Sequence, residues 1–209
     1  MPLIKHRKTE GGLLLLWEIS ESLEQLVLLG KEFIKDPAYQ KITHPKRQKE
    51  WLTVRLLQQA ANCTQHQFRY NETGQPCIDH PFFRSISISH SSDLVGIFLH
   101  RDKTTGLDIE SENRNFIRVE KKYLTEEEAY WAKRIPNGYG WFWCIKEAAY
   151  KAAGVPGLIF RDQINIYQQK NGSLGVSVQL KLPLYFDIHQ EKFHGQLIVY
   201  LTVRKNSQN

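Results

Sequence analysis

The chain has 209 residues, with 28 Lys and Arg against 22 Asp and Glu for a net charge of +6, and it is 41% apolar and 24% charged. That composition is globular and excludes wholesale disorder, and 13 Gly with 8 Pro are too few for a collagen-like or linker-dominated chain. Leu13–Trp17, as long as any wholly apolar run in the chain, is far short of the ~20 residues a membrane span needs. Secretion is not expected, because no basic, apolar and small-residue leader pattern opens the chain. Cys63, Cys77 and Cys144 are odd in number and widely spaced, which speaks against a disulfide framework or a zinc site and for a reducing cytoplasm. The positive surplus points to an anionic partner without saying which.

In chain order, Leu13–Ile19 reads as a buried strand. Ser20–Phe33 follows as a helix behind a Ser20 cap, with Leu23, Leu26, Val27 and Leu29 at helical spacing. Pro45 opens a helix over Lys46–Ala61, whose Trp51, Val54, Leu57 and Ala61 share one face. Phe68–Tyr70 is a short strand and Asn71–Pro76 a turn. Ser85–Ser89 alternates Ser and Ile, and Leu94–His100 is a second β run. Arg101–Thr105 is a polar turn before a strand at Gly106–Glu110. Thr125 with Glu128 makes a capping box for a helix to about Arg134. Asn137–Gly140 interrupts it, and Trp141–Ala153 is a helix stopped by Gly154 and Pro156. Gln163–Tyr167, Gly175–Leu182 and Gln196–Val203 complete the strands. The soft boundary at Arg101–Thr105 divides the chain into near-equal parts, 1–102 and 103–209.

Four segments could carry chemistry. In Gly106-Leu107-Asp108-Ile109-Glu110 a strand puts Asp108 and Glu110 on one face, a pair that a divalent cation relieves of mutual repulsion; all-oxygen donors of this kind suit Mg²⁺. On the helix through Trp143, Glu147 and Lys151 stack at i,i+4, while Trp141, Ile145, Ala148 and Ala152 form the opposite, packed face. Ser87–Ser92 sets His90 among hydroxyls suited to phosphate oxygens. Arg47 and Arg55 sit two turns apart on the Lys46–Ala61 helix, and guanidinium groups are good phosphate ligands. Taken singly, each reads more simply: a solvated strand edge, a surface ion pair, a structural histidine, a soluble helix. Their order and spacing argue otherwise.

An S-H-S segment, a G-x-D-x-E and a W-x-x-K-E-A-x-x-K helix in this order resemble the 4′-phosphopantetheinyl transferase superfamily, in its two-halved type. The likeness extends to Thr73–Pro76 and the Lys46–Leu57 helix. It implies an α+β pseudo-dimer of two similar subdomains, each a small antiparallel sheet packed with a long helix, and a monomer. It implies transfer of 4′-phosphopantetheine from coenzyme A to a serine of an apo acyl or peptidyl carrier protein, releasing 3′,5′-ADP. By the same resemblance Asp108, Glu110 and Glu147 hold Mg²⁺ or Mn²⁺, and Arg47, Arg55, Ser89, His90, Lys146 and Lys151 contact coenzyme A. Glu147 acts as general base, its pKa lowered by the ion and Lys151; Lys151 and Asp108 complete the catalytic set. The family's Gly-Lys-Pro is Gly74-Gln75-Pro76 here, so one phosphate contact is missing unless Arg69 or Lys46 replaces it. An acidic carrier suits the +6 charge, with Phe116, Ile117 and Tyr123 as apolar dockers. Neither a membrane nor nucleic acid is expected as partner. The competing readings are a metal-dependent phosphodiesterase using the same carboxylates, a basic nucleic-acid-binding module, and a pseudoenzyme that has lost the activity.

Overall fold

The computed structural model describes residues 3–63 and 67–204. The first part runs β1 (Leu3–Thr9), β2 (Gly12–Glu18), α1 (Leu23–Leu29), α2 (Pro37–Gln40), α3 (Pro45–Ala60), β3 (Phe68–Tyr70), β4 (Pro76–Ile78), β5 (Ser85–His90) and β6 (Leu94–His100). The second runs β7 (Thr105–Ser111), α4 (Glu120–Tyr123), α5 (Glu126–Ala132), α6 (Gly138–Ala153), α7 (Phe160–Gln163), β8 (Ile164–Gln168), β9 (Leu174–Val178), β10 (Leu184–Phe193) and β11 (Gln196–Val203). The strands make an antiparallel sheet in the order β1-β2-β6-β5, another in the order β7-β11-β10-β9-β8, and the small β3-β4 pair. The chain changes sheet in the turn after His100. Each large sheet is covered by one sixteen-residue helix, α3 or α6, so the fold is α+β in two comparable halves.

Three apolar clusters explain the layering. Leu13, Leu15 and Trp17 of β2 face α3 with Val95, Ile97 and Leu99, while Leu14 and Leu16 turn the other way, onto Leu107, Ile109, Ile198 and Tyr200 of the second sheet. Both faces of β2 are therefore buried, which is why it reads as an unbroken apolar run. Beneath α6, Phe142, Ile145, Ala148 and Ala152 pack on Val176, Phe186, Leu197 and Val199. Among the described residues no helix is long and apolar enough to cross a membrane.

Between the sheets, β5 lies beside β7 without a backbone ladder. Side chains take the ladder's place: the hydroxyls of Ser85, Ser87 and Ser89 accept the amide N–H groups of Thr105, Leu107 and Ile109 at 3.1, 2.8 and 3.1 Å. The Ser-Ile alternation thus puts hydroxyls along the seam, while Ile86 packs in the α3 core and Ile88 against it.

Several expectations shift. Ser22, not Ser20, caps the first helix through a capping box with Gln25, and the helix ends at Leu29. The last long helix starts earlier, at Gly138, because Asn137 takes a left-handed conformation (φ 57°) that turns the chain directly into it. β1 and β10 had no expectation from the sequence. Phe116 and Tyr123 are 4% and 1% exposed, so as docking residues they are corrected: both belong to the α6 core, and of the three only Ile117 reaches solvent.

Candidate active site

The site begins at Gly106. A Cβ there would lie 1.8 Å from the Ala148 carbonyl oxygen, so only glycine lets α6 lie this close to β7. Two residues on, along the same face, Asp108 is buried against the helix at 4% exposure. Its Oδ1 accepts from Lys151 Nζ at 2.8 Å and from the Ser89 hydroxyl at 3.1 Å. Lys151 Nζ also donates to the Ser89 hydroxyl at 3.1 Å and to the Leu107 carbonyl at 2.9 Å. Asp108 Oδ2 is buried and accepts no N–H or O–H among the described residues; its near neighbour is the buried Cys144 thiol, a weak donor.

Glu110, half-buried at the strand end, accepts from the Trp143 indole N–H at 3.0 Å and pairs with Arg114. The Arg114 guanidinium in turn lies 4.7 Å over the Trp143 ring. Trp143 thus stands in line with Glu147 and Lys151 because it faces the strand's carboxylate. Glu147 completes the acidic group. Burial, then the charge of Asp108, push its carboxyl up to about 7, with Glu110 adding to the rise and Lys151 and Arg114 opposing it. Glu110 is raised as well, first by burial and then by Asp108. Lys151 lowers the Glu147 pKa as expected, and without the cation's share of that lowering, burial and mutual repulsion outweigh the lysine.

Beside this group opens a cavity of about 780 Å³, walled by α3, the Asn71–Pro76 turn, β5 and the end of α6. Arg47 stands exposed at its rim. Arg55 is 8% exposed in its wall, its guanidinium 4.4 Å over Trp51 and 4.9 Å over Phe68, with Nη1 donating to Gln58 and Nε without a partner among the described residues. His90 Nδ1 lies 3.5 Å from the buried Glu50 carboxylate. The histidine's pKa is lowered, by burial first and by Lys151, Arg47 and Lys46 as well, against the pull of Glu50. A second recess of about 590 Å³ shares Arg47, Glu50 and His90 with the cavity and reaches Glu110 and Arg114. Gln75 lines the first cavity and donates to the Lys151 carbonyl at 3.3 Å. Of the cations considered as its replacement, Lys46 lines the second recess and Arg69 lines neither.

Two assignments change. Lys146 is fully buried: its Nζ pairs with Glu128 at 2.8 Å and donates to the Phe160 carbonyl at 3.0 Å, away from the cavity. One residue along a helix is a turn of about 100°, enough to carry it from the Glu147 stripe into the core. Ser89 is also buried, and its hydroxyl is taken up by Asp108, Lys151 and the Ile109 amide, so it does not face a ligand. Arg114 and Trp143, which contact Glu110, were not assigned as site residues, although the four-residue step from Glu110 to Arg114 is visible in the sequence.

Among the described residues no three His, Cys, Asp or Glu side chains stand as a ready-made metal cage. The reason is visible: Lys151 holds Asp108, and Arg114 and Trp143 hold Glu110. The donor set nevertheless suits a hard divalent cation. It consists of oxygens only, includes the buried Asp108 Oδ2, and lies where burial first and mutual repulsion second raise Glu147 and Glu110.

Residues 104–202, just under half of the chain, match the family model of the 4′-phosphopantetheinyl transferase superfamily. The resemblance carried by the motifs is thereby shown over the part that holds Asp108, Glu110, Glu147 and Lys151, and the family is one of transferase enzymes. Among solved structures, the chain is similar to a holo-(acyl-carrier-protein) synthase from Bacillus anthracis in complex with CoA (3′,5′-ADP), at 18% identity and TM-score 0.41, over 48% of this chain and 96% of that one. It is similar also to holo-[acyl-carrier-protein] synthase from Neisseria meningitidis (22%, TM-score 0.39, 49% and 98%) and to holo-ACP-synthase from Plasmodium yoelii (21%, TM-score 0.38, 49% and 95%). No curated protein matches the chain significantly.

Proposed function

We propose that the chain transfers the 4′-phosphopantetheine group of coenzyme A to a serine hydroxyl of an acyl or peptidyl carrier protein. The observation that carries this reading is the buried Asp108, held on one oxygen by Lys151 and in the field of the Glu110 and Glu147 carboxylates, with Lys151 itself lining a large cavity that Arg47 and Arg55 also line. In the step itself, the serine oxygen forms a bond to the β-phosphorus of coenzyme A, the one carrying pantetheine, as that phosphorus loses its bond to the bridging oxygen. 3′,5′-ADP leaves with the bonding pair.

Glu147 accepts the serine proton. Lys151 and the charge of a bound divalent ion would both favour its ionised form, the form that takes up a proton. Lys151 offers its charge to the phosphate oxygens as negative charge moves to the 5′-phosphate of the leaving 3′,5′-ADP. Arg47 at the rim and Arg55 in the wall receive the nucleotide's phosphates, with His90 beside them. Asp108, Glu110 and Glu147 would hold Mg²⁺ or Mn²⁺, which when bound draws charge from the phosphate oxygens. Division into domains 1–102 and 103–209, a monomeric state and a cytoplasmic setting belong to the same proposal. So does an acidic carrier, drawn by the net charge of +6.

The test is to incubate the protein with Mg²⁺, coenzyme A and a panel of apo carriers and weigh each carrier. A gain of one phosphopantetheine on a carrier, lost when its serine is replaced by alanine, supports the proposal. Cleavage of coenzyme A with no carrier present would instead favour a phosphodiesterase.

A further inference from the structure

The geometry points to Ser89 as a positioning residue that, with Lys151, fixes the rotation of the Asp108 carboxylate. The inference rests on the proposed function only in taking Asp108 as a cation ligand. Ser89 is the one seam serine that does three things at once. It accepts the Ile109 amide at 3.1 Å, accepts from Lys151 Nζ at 3.1 Å, and donates to Asp108 Oδ1 at 3.1 Å. Because Lys151 also takes Oδ1, at 2.8 Å, both partners grip the same carboxylate oxygen and leave Oδ2 buried with no N–H or O–H donor among the described residues. An isolated aspartate would rotate about its last bond and spread two donors over two oxygens; here the hydroxyl and the ammonium, joined to each other, fix the rotation. The hydroxyl comes from β5 and the carboxylate from β7, so the first half of the chain orders a carboxylate that the second half supplies.

Ser87 provides the control. It makes an equivalent seam bond, to the Leu107 amide at 2.8 Å, and no hydrogen bond to Asp108 or Lys151 is among its contacts in the described structure. The experiment measures Mn²⁺ affinity directly, from the free-ion spectrum, together with coenzyme A affinity without metal and the melting temperature. Loss of an orienting partner of a metal ligand typically weakens binding by about 10- to 100-fold. Ser89→Ala is expected to lose Mn²⁺ affinity by about that factor while its metal-free coenzyme A affinity stays within about two-fold. Ser87→Ala, at a similar cost in melting temperature, is expected to keep Mn²⁺ affinity within about three-fold. Ser89→Cys, which preserves size and offers only a weak donor, serves if the alanine variant does not fold, and the same loss is expected of it.

Equal Mn²⁺ affinity in the Ser89 and Ser87 variants would overturn the inference, as would loss of metal-free coenzyme A affinity with Mn²⁺ binding intact. So would a wild-type protein that binds no Mn²⁺. The carrier assay separates this from the wider reading: an inactive wild type whose Mn²⁺ binding still depends on Ser89 removes the proposed function and leaves the positioning role standing.

Discussion

Two lysines five residues apart on α6 make opposite uses of an ion pair. Lys146 meets Glu128 in full burial, and every oxygen there is taken: Oε2 by Lys146 and the Thr125 amide, Oε1 by the Ile166 amide. Burial lowers the pKa of Lys146 and Glu128 restores part of it. This pair is closed, and it ties α5 and β8 to the helix. Lys151 meets Asp108 at the edge of a cavity, with one carboxylate oxygen accepting no N–H or O–H among the described residues and Glu147 raised to about 7 nearby. That pair is open. A saturated pair specifies structure, whereas one with spare lone pairs and crowded charge can bind and react.

The largest effect should come from the open side. Glu147→Gln is expected to cost about 10²- to 10⁴-fold in transfer, the range of a lost general base, with the circular dichroism spectrum unchanged. Full activity in that variant would remove Glu147 from the mechanism. The two lysines should then separate by readout. Lys146→Met strands a buried Glu128 and is expected to cost about 3–5 kcal/mol in denaturant unfolding. Lys151→Met, whose lysine is partly exposed, is expected to cost less, about 1.5–3 kcal/mol, in the same experiment, while transfer falls by about 10²-fold. If both variants lost stability alike, the contrast between open and closed pairs would fail.

A smaller effect is expected with pH. The Glu147 pKa lies above its ordinary 4.5 in the fold, so its contribution to stability is complete below about 4.5 and is lost as pH rises through about 7. In metal-free protein, the melting temperature of wild type relative to Glu147→Gln should therefore fall between those values and level off above. A pH-independent difference would mean that Glu147 is not crowded by its neighbours. The smallest effect concerns the carrier: its apparent KM should rise a few-fold as salt shortens the ~10 Å screening length. A salt-independent KM would place docking on apolar contact, with Ile117 its exposed candidate.

Much of this contrast was legible in the sequence, but only one side of it. Asp108 and Glu110 share a strand face by simple alternation, and Glu147 and Lys151 share a helix stripe by simple period, so the open site could be assembled from local rules. Lys146 could not be placed in that way. Its partner Glu128 belongs to another helix, and nothing local says that the turn toward it is buried. Ser89 was seen as a hydroxyl near phosphate, and only the packing of β5 against β7 turns it inward. The strands without a sequence expectation have a related cause. β10 is half-exposed and charged, and it is held by its ladder to β11 across the His194-Gly195 turn, where both residues have positive φ. β1 is charged along much of its length and takes its register from β2. Tyr123, directly after Lys121 and Lys122 in sequence, is drawn into the core, where its hydroxyl donates to the Tyr139 carbonyl at 2.9 Å.

The most direct measurement is an anomalous-difference map from crystals grown with Mn²⁺ and coenzyme A. One peak touching oxygens of Asp108, Glu110 and Glu147 together, with Arg114 released from Glu110, is the result expected. A peak held by other residues, or carboxylates turned away from one another around no ion at all, would contradict the account.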